Sequence, residues 1–555
     1  MSIRTFKRML SKERILWICL LFLGVTYLRQ AEVLEPRQTN LRKRGEPGPQ
    51  RQIPITSRAD HPVKVFAQNA RADFFKMIDR QSRTYTEAVA EYRRRYSRDP
   101  PPGFRKWYEY AKKHNSVIID DYDMINENMA PYWNMTPRQV RALLDRGSRG
   151  PALFNVSVNS GIMAMSGDHY IGKEFISTLS DIAKDLPDFQ ILLNPMDEPR
   201  VVPVEDADLS SVSWLDHARR SSWNVATAPC KSEPSDDQDT AADTLSSASP
   251  AIETFGLPFV TDAKGSKDIC KHPEYRSAHG LFISPCSFSY TNQPVPIFSA
   301  SAPATFGDIL YPSQWYYRFQ DRDRDRNDVP WEFKWAGLYW AGSTTGGCST
   351  EATADELAEN GQRQRFVALA NGMSKKPATF LADVNGRIQT YQSSDVFSQL
   401  YDAKFTSINQ CDGPNCERAT RLFGASKHEE EKLTYQARFL MDMDGNAFSG
   451  RFYRFLASNS LPFKMTILRE WHDERLVPWY HYVPISLSMD ELPETLRYLA
   501  LTKEGDTVAR GIAQAGKEWH DKILRREDAT IYIYRLLLEF ARVQSETRDG
   551  TVGGL

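Results

Sequence analysis

The sequence predicts an α/β fold, and three observations carry that prediction. Its 555 residues exceed what one hydrophobic core usually organises, so at least two domains are expected. Short apolar runs at residues 189–193, 337–340 and 464–467 have strand length and end near Asn, Pro or Gly, with helical patterns between several of them. The stretch from Glu491 to about Val543 is helical in pattern. Its apolar face of Ile533, Tyr534, Leu537, Phe540 and Ala541, widened by Ile531 and Leu538, must pack on something. With 41% hydrophobic, 12% aromatic and 25% charged residues, the composition excludes a mainly disordered chain. A formal net charge of −1 leaves no electrostatic footprint for nucleic acid, and no such partner is expected.

Along the chain, Arg4, Lys7, Arg8, Lys12 and Arg14 precede an almost unbroken apolar run at residues 15–28, which reads as a secretory-type segment. As a helix it spans about 21 Å, short of the ~30 Å hydrocarbon core, so a cleaved signal peptide competes with a membrane anchor. No A-x-A-like site follows, which favours an uncleaved signal anchor with residues 1–14 as a cytosolic tail. Residues 29–62 are polar and rich in Arg, Pro and Gln, the composition of a flexible stem. Phe66, Phe74, Phe75, Ile78, Tyr85, Ala88 and Tyr92 then recur at helical spacing until Pro100-Pro101-Pro102, giving one or two helices. Residues 232–250 contain no aromatic side chain and read as a disordered surface insertion.

Six cysteines lie outside the apolar run: Cys230, Cys270, Cys286, Cys348, Cys411 and Cys416. Their even number suits an oxidising lumen and allows up to three disulfides. The glycosylation-type triplets Asn134-Met-Thr136 and Asn155-Val-Ser157 agree with that compartment. Val552-Gly-Gly-Leu555 is not a KDEL-type signal, so the expected residence is the Golgi membrane, single-pass type II with a lumenal body. The endoplasmic reticulum and secretion are the alternatives.

Two segments carry candidate chemistry. Leu338-Tyr-Trp-Ala-Gly-Ser-Thr-Thr-Gly-Gly347 runs from a strand into a turn rich in glycine and hydroxyls, whose N–H groups suit an anion. It lacks the P-loop lysine, and by itself the plainer reading is a structural turn. Arg363 and Arg365 follow on a helix, where a guanidinium offers paired donors to phosphate oxygens or simply faces solvent. In the second segment, Met441-Asp-Met-Asp-Gly-Asn446 leads to Ser449-Gly-Arg-Phe-Tyr-Arg454. A helix beginning near Ser449 would bring free N–H groups, a hydroxyl and Arg451 to one spot; an N-capped helix with surface arginines is the competing reading.

Asp444-Gly-Asn446, Ser449-Gly-Arg-Phe-Tyr-Arg454, Ser458-x-Ser460, Lys464, Glu470-Trp471 and Pro478-Trp-Tyr-His-Tyr-Val-Pro484 together resemble glycosyltransferase family 90. That family includes the Rumi-type protein O-glucosyltransferases and the fungal capsule-associated xylosyltransferases, and the sequence looks most like the fungal branch. Asp188-Phe-Gln-Ile-Leu-Leu-Asn-Pro-Met-Asp-Glu-Pro-Arg200, Phe306-Gly-Asp-Ile-Leu-Tyr-Pro312 and Trp340-Ala-Gly-Ser-Thr-Thr-Gly-Gly347 extend the likeness over most of the chain. The resemblance implies a GT-B architecture, two Rossmann-like domains facing a cleft, and inversion at the anomeric carbon without a metal or other cofactor. On that reading residues 63–330 form the helical and Rossmann-like acceptor domain, 331–490 the nucleotide-sugar domain and 491–555 the C-terminal helices and tail. It also implies that Asp197 is the catalytic base and that Ser343, Thr344, Ser449 and Arg451 contact the nucleotide diphosphate, with Arg365 a further donor. One departure is Ala341, where the family commonly has Arg.

Other signals have plain readings. Asp121-Tyr-Asp123 and Asp442-Met-Asp444 match a metal-binding D-x-D that also arises by chance. Cys411 and Cys416 suggest a disulfide before a zinc half-site, His481 is expected to be packed structure, and the alternating charges of residues 321–326 suit a solvated segment. The sequence therefore points to an inverting transferase moving a sugar, xylose first and glucose second, from a UDP-sugar to a hydroxyl of a glycan or glycoprotein. A non-catalytic glycan- or nucleotide-binding relative is the alternative. A glycoside hydrolase using Asp197 and Glu198 is disfavoured, because adjacent carboxylates rarely flank one bond.

Overall fold

The computed structural model describes residues 60–230, 252–317 and 328–548. The apolar run and nearly all of the stem, the 232–250 insertion, the charge run at 321–326 and the last seven residues lie outside the described residues. Among the described residues no helix is long and apolar enough to cross a membrane.

The helical spacing after the stem resolves into two helices. His61 caps α1 (Pro62–Asp79), its Nδ1 accepting from Val63 N, and Pro62 occupies the first turn, where its missing N–H costs nothing. Thr84 and Glu87 form a capping box on α2 (Tyr85–Tyr96), which ends at Ser97 in the left-handed conformation. Helices α3 (Phe104–Lys113), α4 (Asp123–Trp133) and α5 (Pro137–Gly147) lead into the first sheet.

That sheet contains β1 (Phe154–Asn159), β2 (Ile162–Met165), β3 (Phe189–Leu193), β4 (Ile297–Ser299) and β5 (Ile309–Leu310), in spatial order β2-β1-β3-β4-β5. Helix α6 (Tyr170–Leu179) connects β2 to β3. Only β3, β4 and β5 run parallel; β1 is antiparallel to both neighbours. The cause is local: Ser160 and Gly161 both have positive φ, 50° and 77°, the two-residue hairpin geometry that returns the chain beside β1. This half therefore departs from the all-parallel order of a Rossmann-like layer.

The second sheet, β6 (Trp335–Ser343), β7 (Tyr401–Ser407), β8 (Ala437–Met443), β9 (Leu461–Met465) and β10 (Val483–Pro484), is wholly parallel in the order β7-β6-β8-β9-β10. This is the doubly wound order, and its direction reverses between β6 and β8, which makes the C-terminal ends of those two strands the switch point. Strand β9 is buried along its whole length, as a parallel strand covered on both faces must be.

Helix α7 (Gln362–Ala370) follows β6, and the short α8 (Phe452–Leu456) follows β8. The final helical stretch divides into α9 (Leu492–Leu501), α10 (Lys503–Ile523) and α11 (Arg526–Gln544). Leu536, Leu537 and Phe540 of α11 join the core of the first sheet, with Ile191, Leu193 and Phe298. Val63 and Phe66 of α1 join the core of the second, with Leu338, Phe439 and Phe463. The terminal helices are thus exchanged between the cores, and core membership does not follow the linear division at residues 330 and 490. Apolar nearly all round, α11 is buried. Its one central cation, Arg535, bonds Glu539 at 3.1 Å, and Glu539 in turn accepts from Tyr92 Oη at 3.0 Å.

Disulfides join Cys230 to Cys270 and Cys411 to Cys416, the latter in place of a zinc half-site, while Cys286 and Cys348 remain thiols.

Candidate active site

A cleft of about 500 Å³ lies between the C-terminal ends of the two sheets; Asn194, Asp197 and Trp315 line it on one side, Ser343, Arg363 and Ser449 on the other. Its first wall is the loop after β3. Asn194 donates to Glu198 O at 2.9 Å and Ser299 Oγ at 3.0 Å and accepts from Met196 N at 3.1 Å, folding the loop into a tight turn. The backbone N–H groups of Arg200 and Val201 both reach the buried Asp308 carboxylate at 2.9 Å, so the Asp308 of the Phe-Gly-Asp segment holds this loop. Asp197 projects from the turn with solvent on one side, and Asn446 Nδ2 donates to its Oδ2 at 3.4 Å from across the cleft. The crowding walls raise its carboxyl above the ordinary range, and the Asn446 bond opposes that rise. Beside it, Glu198 is buried and bonded to Ser287 N and Oγ; burial is the main cause that pushes it up to about 7.

The second wall is the switch point. Ser343 Oγ and Thr345 Oγ1 share a 2.9 Å hydrogen bond on the cleft side. Thr344 points away: its hydroxyl donates to Asn409 O and accepts from Asn409 N, both at 2.8 Å, which fastens the end of β7. Arg363 binds the two switch-point turns together, donating to Ser343 O at 3.0 Å, Thr345 Oγ1 at 2.6 Å and Asp444 O at 3.0 Å. Burial lowers its guanidinium to about 9. Gly445 packs closely beneath it: a Cβ there would sit 3.1 Å from Arg363 Nη2.

Arg365 is not brought to the cleft. Two residues along a helix is a turn of about 200°, and its guanidinium instead bonds the carbonyls of Asn360, Ala278 and Leu487 at 2.9, 3.0 and 2.7 Å. Ser449 and Arg451 do line the cleft, but α8 begins only at Phe452 and has five residues, so the expected helix start at Ser449 is displaced. Arg451 Nη1 donates to Ala341 O at 2.8 Å, and its guanidinium lies 5.7 Å from the Trp340 ring and 5.8 Å from that of Phe455. Ala341 itself faces a second cavity of about 550 Å³, which shares Arg451 as a wall.

The D-x-D carboxylates are engaged elsewhere: Asp442 lies 3.3 Å from Lys464 Nζ, and Asp444 accepts from Ile467 N at 3.0 Å. Arg80 and Arg95 contact Asp121. His481 is packed structure, stacked on Trp519 and accepting from Val477 N, with burial lowering it to about 3. Sequence reasoning missed Thr345 and Asn446 as cleft residues; both stand inside the quoted motifs, and only the strand order brings them opposite Asp197.

With the switch point assembled from residues of β6 and β8, a profile of glycosyl transferase family 90 matches residues 286–549. Over that region the chain is similar to glycosyltransferase family 90. The match includes Ser343, Thr344, Arg365, Ser449 and Arg451 and begins after Asp197. Protein O-glucosyltransferase 1 of Homo sapiens is 23% identical over 273 residues, 45% of this chain and 58% of that relative. The O-glucosyltransferase rumi homolog of Aedes aegypti is 30% identical over 152 residues, 26% of this chain and 35% of the relative. Protein O-glucosyltransferase 3 of Homo sapiens is 29% identical over 168 residues, 30% and 32% respectively. The chain thus spans less than two thirds of the length of these relatives.

Proposed function

We propose that the cleft is the active site of an inverting, GT-B-type glycosyltransferase that moves a sugar from a UDP-sugar to a hydroxyl of a glycan or glycoprotein. One observation carries this reading: an open carboxylate, Asp197, stands opposite the switch-point turns and touches Asn446 between them. In the reaction Asp197 takes the acceptor hydroxyl proton as its oxygen attacks the anomeric carbon, and the bond from that carbon to the diphosphate breaks. Negative charge grows on the departing UDP. Ser343, Thr345 and Ser449 line the place where it would be received, with Arg451 a candidate cation on the same wall and Arg363 fixing the turns.

Xylose is the first donor proposed and glucose the second; the O-glucosyltransferases among the relatives support the glucose reading. No metal is assigned to the step, since the carboxylates of Asp442 and Asp444 already bond Lys464 and Ile467 N. Residence in the Golgi lumen behind an N-terminal anchor remains part of the proposal.

The test is UDP release from a panel of UDP-sugars, with a glycan extract as acceptor, beside Asp197→Asn. We expect acceptor-dependent release from one donor, insensitive to chelator, with kcat reduced about 10²- to 10⁴-fold in the variant and UDP affinity kept. Saturable UDP binding without turnover on any acceptor would favour the non-catalytic reading, to which Ala341 beside Arg451 lends support.

A further inference from the structure

Among the described cysteines, two pairs are bridged and Cys286 and Cys348 are left as thiols, close enough that, after burial, the Cys348 thiol raises the resistance of the Cys286 thiol to ionisation. The backbone fixes that pairing. Cys348 N donates to Ser284 O at 2.6 Å, two residues from Cys286. A Cβ at Gly280 would fall 1.5 Å from Gly346 O, so the two segments pack back to back only because position 280 is glycine, and a Cβ at Gly347 would lie 3.2 Å from Gly280 Cα.

We propose that Cys286 and Cys348 form a third disulfide as the chain folds, stapling the turn of residues 343–348 to the segment that supports the Asp197 loop. Both ends of the bond lead to the cleft. On one side Ser287, next to Cys286, holds Glu198 through its N–H at 3.3 Å and its hydroxyl at 2.9 Å. On the other, Gly346 N, in the turn that Cys348 closes, donates to Asn446 Oδ1 at 3.2 Å, and Asn446 reaches Asp197.

The bond is structural rather than a switch. Cys348 is buried and Cys286 half-buried, which limits the access of an attacking thiolate to the bond. During folding, one cysteine thiolate attacks a small disulfide such as oxidised glutathione and releases one glutathione thiolate. The second cysteine thiolate then attacks the mixed disulfide at the protein sulfur and releases the other. Two electrons pass to glutathione, and the two protein protons end on its two thiols.

The experiment refolds the reduced full chain in a glutathione redox buffer, alkylates it without reduction under denaturing conditions and maps the peptides by mass spectrometry. We expect a Cys286–Cys348 linked peptide beside the other two. Alkylation of both Cys286 and Cys348, in protein whose other two bridges have formed, overturns the proposal, as does either residue bridged elsewhere. The double variant Cys286→Ser, Cys348→Ser, checked for its two remaining disulfides, should melt several degrees lower and exchange amide hydrogens faster in residues 343–348 and 196–199. Unchanged exchange in both segments overturns the stapling role. None of these readouts depends on the transferase reading.

Discussion

Asp197 sits in a mixed environment: its neighbours disfavour the charge while Asn446 stabilises it. The base must be ionised to act, so kcat/KM rises as pH rises through its folded pKa, and that limb should lie above the ~3.9 of a free Asp. Asn446→Ala removes a bond made to the ionised form and should move the limb to higher pH. A pH–rate profile of both proteins checks the direction. Glu198 gives a stability prediction. Its folded pKa, about 7, lies above the unfolded value, so the folded state binds the extra proton. The stability that Glu198 contributes is therefore present in full below about pH 4.5 and is lost as pH rises toward 7. Glu198→Gln keeps an acceptor for Ser287 N and removes the titration. Urea melts should show the variant gaining about 1–3 kcal/mol on the native protein between pH 5 and pH 8.

At the scale of the element, α7 shows how one helix divides two arginines between two tasks. Arg363 faces the switch point and Arg365 the carbonyls behind it, because residues two apart on a helix face opposite ways. Arg363→Lys keeps the charge but loses the planar fork that spans both turns, and UDP affinity should fall about tenfold with kcat also reduced. Arg365→Ala leaves buried carbonyls unpaired and should cost about 2–4 kcal/mol in stability, with UDP affinity within about twofold. Calorimetric titration with UDP and denaturant melts on the two variants separate these outcomes.

At the scale of the molecule, the exchange of terminal helices makes the two halves interdependent. Leu537 of α11 is fully buried in the first core, although it lies far down the chain from that sheet. Leu537→Ala should cost about 2–5 kcal/mol, and a chain ending at Arg525 should fail to form a cooperative first half. Circular dichroism melts of both, with near-ultraviolet signals reporting Trp107 and Trp471 of that core, test this.

Much of the fold was legible in the sequence. Strand β3 occupies the apolar run at residues 189–193, β6 contains residues 337–340, and the terminal helical pattern packs on a core as its apolar width required. The family motifs identified the glycine turns and the Ser449-to-Arg454 segment, because backbone approach and hydroxyl chemistry depend on residue type in a short window. Tertiary structure decided what no window contains: that Thr345 rather than Thr344 lines the cleft, that Arg363 rather than Arg365 faces it, and that Asn446 meets Asp197. It also decided that β1 runs antiparallel, and which core receives α11. Those outcomes depend on which strand ends are neighbours, and strand order is set by long-range packing between segments that the sequence holds hundreds of residues apart.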